Sequence, residues 1–521
     1  MKKFIALFTL LALLAIPVSA MAVKAGDWEL VGYTKLETWW DSAEINKNLS
    51  GPLQRRNAAV PNNWGRIGMT AQSSRFGLKI NGPEVLGAKT QGYIEIDFDP
   101  AQDVRQSASN SYTPRMRHAW FRMDWPGGWQ LLMGQYWGVF CDFYPETIND
   151  GPFQNHGQAT QRIPQIRMTY TTGPWTFSGL AGVPYNPAGD NQTAAVNNLA
   201  GGAVVLPGSN TVGGSLSGGT TGLWGSNSVL PQFQGQVIFE KDLYGKAAFA
   251  GRPRGFVADF GAGIQNLTYL GGQITGPLTT GQNNFTTLSN GVISAGQRGL
   301  VQRQNQVLTP WVVQGTLFVP ILVTHNNNLA GTASVTLQGH IGQGFSFFGE
   351  GQDFDNTFFR YDSPTFLGFS SVNAAGVRSV QFVQAVNYRR YLTPKYGGYL
   401  QGQYYFTNQW YASAVYGFDK SYGVNTSERN FGINPSGGKG NLTNALDPNN
   451  IQNYTYASIN DQSSFTQEIQ GNLFFTPSKN LKFGLGYSFM QSKWFQIQTV
   501  GTKQSQDGYN HSVRFAGWFF F

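Results

Sequence analysis

Charge is what this chain has least of. Only 12% of its 521 residues are Asp, Glu, Lys or Arg, about half the share found in ordinary soluble domains. Long apolar runs are missing as well. After residue 22 no stretch approaches the roughly 18 consecutive apolar residues that a spanning helix requires, and the nearest, Thr316 to Val323, is broken by Pro320. A helical membrane protein is therefore excluded. Cys141 is the sole cysteine, which excludes an intramolecular disulfide scaffold. The five histidines (118, 156, 325, 340 and 511) lie far apart, and there is no HExxH, CxxC, CxxCH, P-loop or GxSxG. Metal, haem, nucleotide and acyl-transfer chemistry lose their usual residues, so neither an enzyme nor a bound cofactor or metal is expected. With 36 basic residues against 28 acidic, the formal charge is +8. That charge is mild and forms no Lys/Arg-rich cluster, which argues against a nucleic-acid partner.

What is present begins with a leader pattern. Residues 1–22, MKKFIALFTLLALLAIPVSAMA, carry Lys2 and Lys3, an apolar stretch from Phe4 to Ile16, Pro17, and small residues at two A-x-A-like sites. This is the composition of a secretory signal peptide, and its removal predicts a mature chain from Val23 with a charge of +6, since both of its bases leave.

Beyond residue 22 the dominant signal is alternation of period two. Ser74 to Ile80 sets Phe76, Leu78 and Ile80 opposite Arg75, Gly77 and Lys79; Gln91 to Phe98 sets Ile94, Ile96 and Phe98 opposite Glu95 and Asp97. That is strand patterning. It recurs at 28–40, 114–125, 129–138, 165–172, 175–183, 231–240, 244–252, 309–319, 331–351, 380–391, 396–406, 410–418, 464–475, 481–491 and 509–521.

The connections separate a membrane barrel from a soluble sandwich. Some are tight turns, such as Pro126-Gly127-Gly128 and Gly173-Pro174, whereas those near 184–230, 268–306 and 419–463 are very long and polar. Short turns at one end and long loops at the other are the mark of an outer-membrane barrel. Trp39-Trp40, Trp125, Trp129, Trp175, Tyr404-Tyr405, Trp410-Tyr411 and Trp518 fall near strand ends, where interfacial aromatic girdles would lie. The last strand ends on Phe521, which resembles the terminal signal read by the bacterial barrel-assembly machinery. The predicted fold class is all-β: one transmembrane antiparallel barrel over residues 23–521, of about 16 strands with 18 as the alternative. Residues 139–164 are predicted to fold into the lumen. At this strand number the interior is wide enough to hold water.

Residues 74–171 further resemble the DcaP-like family of trimeric outer-membrane porins, through SRFGLKI, GYIEIDF, RMRHAWFRM, LLMGQYWGVF and YPETINDGPFQNHGQATQRIPQIRMTYT in that order. The resemblance covers about a fifth of the chain. It implies a porin-like fold in the outer membrane, a homotrimer in contact with lipid and lipopolysaccharide, and passage of small anions, dicarboxylates among them. Strand pattern starts at Trp28 with no coiled-coil segment ahead of it, so a trimer would rest on barrel walls.

Lumen candidates follow from alternation. A lipid-facing Arg or Lys costs about 2–4 kcal/mol at mid-membrane, which assigns Arg75, Lys79, Arg115, Arg117 and Arg167, with Glu95 and Asp97, to the pore lining. Arg115 and Arg117 come with a difficulty: on a regular strand they would send His118 and Asp124 to the other face. Asp142, Glu146 and Asp150 of the inward loop are expected to face these bases and form a constriction with a transverse field. The function this predicts is passive diffusion of small hydrophilic solutes with a modest preference for anions. The rival is a barrel that sheathes a multihaem cytochrome in an outer-membrane conduit.

Overall fold

A strand exposed to lipid must pair both of its edges, because hydrocarbon offers no hydrogen bonds to its peptide groups. The computed structural model shows this chain meeting that demand by closing on itself. It describes residues 27–43, 65–98, 114–149, 151, 153, 156–159, 161–183, 230–277, 288–289, 292–293, 299–345, 348–349, 357–361, 365–372, 378–422, 463–494 and 507–521. The leader 1–22 and the long stretches 184–229 and 423–462 lie outside the described residues.

The wall consists of β1 (Trp28–Asp41), β2 in two pieces (Arg66–Thr70 and Arg75–Asn81), β3 (Lys89–Asp97), β4 (Arg115–Asp124), β5 (Trp129–Trp137), β6 (Arg162–Thr172), β7 (Trp175–Gly182) and β8 (Gln232–Lys241). It continues with β9 (Phe256–Ile264), β10 (Trp311–Leu322), β11 (Ala333–Gln343), β12 (Pro394–Tyr405), β13 (Trp410–Ser421), β14 (Ser463–Ser478), β15 (Leu481–Trp494) and β16 (Asp507–Phe520). Each pairs antiparallel with the next, and β16 pairs with β1 from Tyr33↔Phe520 to Asp41↔Ser512, so the sheet is a closed ring of sixteen. The two pieces of β2 both pair with β1. At the break between them the Ser74 hydroxyl accepts from Lys35 N and donates to Lys35 O.

Burial is inverted relative to a soluble protein. Leu36, Ile94, Phe260, Leu337, Ile469 and Phe515 are exposed on the outside, while Gln232, Thr316, Gln338, Gln401, Thr466 and Asn510 are buried within. An apolar exterior around a polar interior is favourable only when the surroundings are lipid; the architecture is that of the bacterial outer membrane. Seven short connections and the C-terminus share one end, and every long connection leaves from the other. Alternation also divides the aromatic pairs. Trp40, Tyr404 and Trp410 are exposed, whereas Trp39, Tyr405, Tyr411 and Trp518 are buried inside the ring and belong to no girdle.

Several boundaries differ from the sequence reading, each for a physical reason. Residues 244–252 alternate yet form no part of the wall: they lie in the turn 242–255, whose short strands Ala247–Phe249 and Arg252–Arg254 pair with each other. The wall strand beside them, β9, gave no pattern because glycine and alanine fill alternate sites. A Cβ on Gly261 would meet the Phe140 ring at 3.1 Å and one on Gly263 the Phe348 ring at 2.8 Å, so rings from inside the barrel occupy that space. β11 stops at Gln343. Much of 268–306 is paired backbone rather than loop: Leu267–Pro277 pairs with Gly299–Leu308 and with Arg378–Leu392, carrying β9, β10 and β12 past the ring on the long-loop side.

The seam between first and last strands ends on the terminal residue. Phe521 N donates to Gly32 O at 3.2 Å, Gly32 N donates to Phe521 O at 3.1 Å, and the Phe521 ring lies 5.6 Å from that of Phe76. Deleting Phe521, or replacing it with Asp, should therefore lower the folded, heat-modifiable fraction recovered from outer membranes. Unchanged folded yield would show that the seam does not need it.

Candidate functional site

The connection from β5 to β6 is rich in apolar residues that have no lipid to face. Val139, Phe140, Phe143, Ile148, Phe153 and Ala159 are all buried, and they are buried inside the ring. A short 3-10 turn, Val139–Cys141, starts the segment inward. Glutamines at alternate positions of β8 receive it: Gln234 Oε1 accepts from Val139 N at 2.9 Å, while Gln236 Nε2 donates to Val139 O at 2.9 Å and to Asp142 Oδ2 at 2.6 Å. Gln314 of β10 donates to Phe140 O at 3.2 Å.

From there the loop crosses to the opposite wall. Glu146 N donates to Gln401 Oε1 of β12 at 2.6 Å, its carbonyl accepts from the Ser413 hydroxyl at 2.7 Å, and its carboxylate accepts from Tyr411 OH at 3.0 Å and from Lys482 Nζ of β15. Lys35 Nζ of β1 donates to Ile148 O at 2.7 Å and to Glu37 Oε2 at 2.7 Å, and Arg514 holds the other Glu37 oxygen at 2.7 Å. Gln470 of β14 donates to Asn149 Oδ1 at 3.0 Å, His156 Nδ1 lies 3.1 Å from Glu468 Oε2, and Gly157 N donates to Asp419 Oδ2 at 2.9 Å. Gly157 has φ +112°, and a Cβ there would sit 2.1 Å from Gly398 O, so only glycine lets the loop seat on β12. The loop rejoins the ladder at Arg162, because Arg162 to Pro164 already pair with Gln135 to Trp137; it ends three residues earlier than its sequence implies.

Facing the loop, β2 to β6 carry the bases. A bulge between Glu95 and Ile96 leaves one extra residue on β4, so that Arg115 pairs with Asp97 and His118 with Glu95. A bulge resets which face the following residues occupy. Arg115 meets Asp97 at 2.8 and 2.7 Å, Arg117 meets Glu95 at 2.8 Å and Asp97 at 2.6 Å, and His118, Trp120, Arg122 and Asp124 also turn to the interior. The face conflict foreseen for this strand is removed by one inserted residue. Arg167 donates to Gln165 Oε1 at 3.0 Å and to Trp137 O, and lies 5.5 Å over the Tyr136 ring. Arg75 lies 5.4 Å over the Tyr33 ring, and Lys79 is 3.5 Å from Glu29. On the lumen side of these strands Arg75, Lys79, Arg115, Arg117, Arg122 and Arg167 outnumber Glu95, Asp97 and Asp124.

The loop acids do not form a row opposite those bases. Asp142 is exposed and within electrostatic reach of Arg167 and Arg254. Glu146 is turned to the far wall by Lys482 and Tyr411, where its charge is matched, and Asp150 lies outside the described residues. Electrostatic reach links Asp142 and Tyr144 of the loop with Arg75, Tyr136 and Arg167 of the wall. Sequence reasoning missed Arg122, Tyr136 and Tyr144, and it missed the fastening glutamines, for which the Q-x-Q-x-Q spacing of β8 was the available signal.

The outer membrane channel DcaP of Acinetobacter baumannii has the same fold, with a TM-score of 0.52 at 14% sequence identity over 95% of this chain and 97% of that chain. OprB of Pseudomonas putida gives a TM-score of 0.43 at 11% identity, covering 95% of this chain and 94% of that one. An anion-selective porin from Comamonas acidovorans gives 0.42 at 10%, covering 95% and 99%. No protein-family profile and no curated protein matches the chain.

The loop's attachment at Glu146 yields a direct test. Removing one member of a buried ion pair leaves the other uncompensated, at a cost of about 3 kcal/mol or more when burial is complete, and both partners here are mostly buried. Glu146→Ala should lower the thermal midpoint and raise open-channel current noise, and Glu146→Ala combined with Lys482→Met should restore much of the midpoint. If the single variant leaves midpoint and noise unchanged, the pair does not hold the loop.

Proposed function

We propose that this protein is a porin: a passive diffusion channel of the outer membrane for small hydrophilic solutes, with a modest preference for anions such as dicarboxylates. The observation that carries the reading is a polar-lined ring crossed by a loop fastened to the wall opposite its origin, with an excess of bases on the strands the loop faces. Passive passage needs a wet route and no stoichiometric chemistry. Charges along such a route are tolerable because water and partners offset their desolvation, and a base-rich wall raises the local concentration of anions. The rival reading, a sheath around a multihaem cytochrome, requires an open bore, and the loop's bonds to β8, β10, β12, β14, β15 and β1 occupy it. In this account the barrel assembles as a homotrimer among lipid and lipopolysaccharide, with Phe521 as the mark read by the barrel-assembly machinery.

Pairing makes the expected selectivity weak. Arg115 and Arg117 are held by Asp97 and Glu95 and Lys79 lies 3.5 Å from Glu29; Arg75 and Lys79 are only half-buried, so solutes reach them more readily than they reach the buried Arg117 and Arg167. In a planar bilayer the purified protein should conduct, and its reversal potential in a KCl gradient should indicate chloride preference near 0.1 M salt. The preference should fade by 1 M as the Debye length shortens from about 10 Å to about 3 Å. Arg75→Ser with Lys79→Ser should shift the reversal potential toward zero more than Arg115→Ser with Arg117→Ser does. Absence of conductance, or cation preference in the wild type, would overturn the reading.

A further inference from the structure

The turn between β8 and β9 does not behave like its neighbours at the same end of the barrel. We propose that residues 242–255 form a second constriction, folded into the lumen from the mouth opposite the long loops, and that Arg252 and Arg254 act there as selectivity residues. The inference rests on the channel reading above.

The turn is tied to the end of β10 and to the next turn along its first half, and it enters the ring at its tip. Tyr244 OH donates to Pro320 O at 2.9 Å, and Lys246 and Thr324 exchange backbone bonds at 2.9 and 2.7 Å. The Ser334 hydroxyl donates to Ala248 O at 3.0 Å. Ser334 lies on the interior face of β11, so the tip of the turn is inside the ring. The chain reverses there through Ala250 and Gly251, both at positive φ (48° and 76°).

At its tip the turn meets the inward loop. The Phe249 ring lies 5.0 Å from that of Phe143, a loop residue, and 5.5 Å from that of Phe318, a wall residue. Loop, turn and wall thus share one aromatic cluster in the middle of a polar interior. Arg254 covers it, with its guanidinium 4.5 Å over Phe143 and 5.5 Å over Phe249, and it donates to Glu240 at 3.1 and 2.8 Å. Its charge reaches Asp142. Arg252 is exposed and within electrostatic reach of Tyr144. Arg252 therefore brings an exposed positive group from the short-turn mouth to within reach of Tyr144, and Arg254, though paired with Glu240, lies over Phe143 of the loop. An anion that has moved along the Arg75 and Arg167 side meets them next, and a cation meets a further barrier.

The test uses the full-length protein in planar bilayers. Arg252→Ser with Arg254→Ser should lower the chloride-to-potassium permeability ratio at 0.1 M KCl while the barrel stays heat-modifiable. Phe249→Ala should raise single-channel conductance and noise by removing the brace under Phe143. Should either variant fold poorly, Arg252→Cys in a Cys141→Ser background gives a second measurement: a sulfonate-bearing thiol reagent added on the short-turn side should reduce the current in a step and lower the permeability ratio. If the wild type conducts and these variants keep its ratio and conductance, or the reagent leaves the current unchanged, the second constriction is refuted. A wild type that does not conduct would refute the channel reading itself.

Discussion

Everything in this molecule depends on the need to pair every wall peptide group where water is absent. An unpaired N–H or C=O in hydrocarbon costs several kcal/mol, so β1 and β16 cannot remain edges and must meet. Closure then fixes the rest by geometry. Side chains alternate between lipid and lumen, apolar residues occupy the outer positions, and the ring of sixteen encloses more space than the wall's own side chains fill. The loop from Val139 and the turn at 242–255 use that space. Both carry phenylalanines that would otherwise meet water, and they bury them against one another and against Phe318.

Inside the ring the attachment relies on neutral amides and hydroxyls more than on charge. Gln234, Gln236, Gln314, Gln401, Ser413 and Gln470 each bond the loop's backbone or polar side chains. An amide both donates and accepts, and it avoids the large desolvation cost of an ion. Where ions are used, each has an opposite partner: Glu37 lies between Lys35 and Arg514, Asp419 between His340, Lys395 and Gly157 N, and Glu146 against Lys482. Such partnered groups fix the loop's position. On the proposed channel reading, the less buried bases of the other wall supply the field that solutes meet.

The barrel was legible because alternation is a local property: each strand announces its two faces within a few residues, and turn lengths announce which end is which. What was illegible depended on partners far along the chain. The bulge that places Arg117 and His118 on one face exists only in the register of β4 against β3. Glu146 was expected opposite the basic wall, yet its destination is set by Lys482, which lies on β15, far along the chain. The turn at 242–255 alternates like a wall strand, and nothing within it says that Phe249 will find Phe143. β9 was hidden for the opposite reason, since its glycines answer to rings contributed by other segments.

If the loop crossing the ring sets the size of the opening, as the channel reading proposes, removing its tip must widen it. Single-channel conductance and the uptake of a graded series of uncharged sugars into proteoliposomes would be compared for the wild type and a variant lacking Gly151 to Gly157. Both barrels would first be shown to be folded by heat-modifiability. Higher conductance and a larger size limit are expected in the variant, because Phe153, His156 and Gly157 lie against β12 and β13 inside the lumen and none of them pairs in the wall's ladder. A folded variant with wild-type conductance and the same size limit would contradict it.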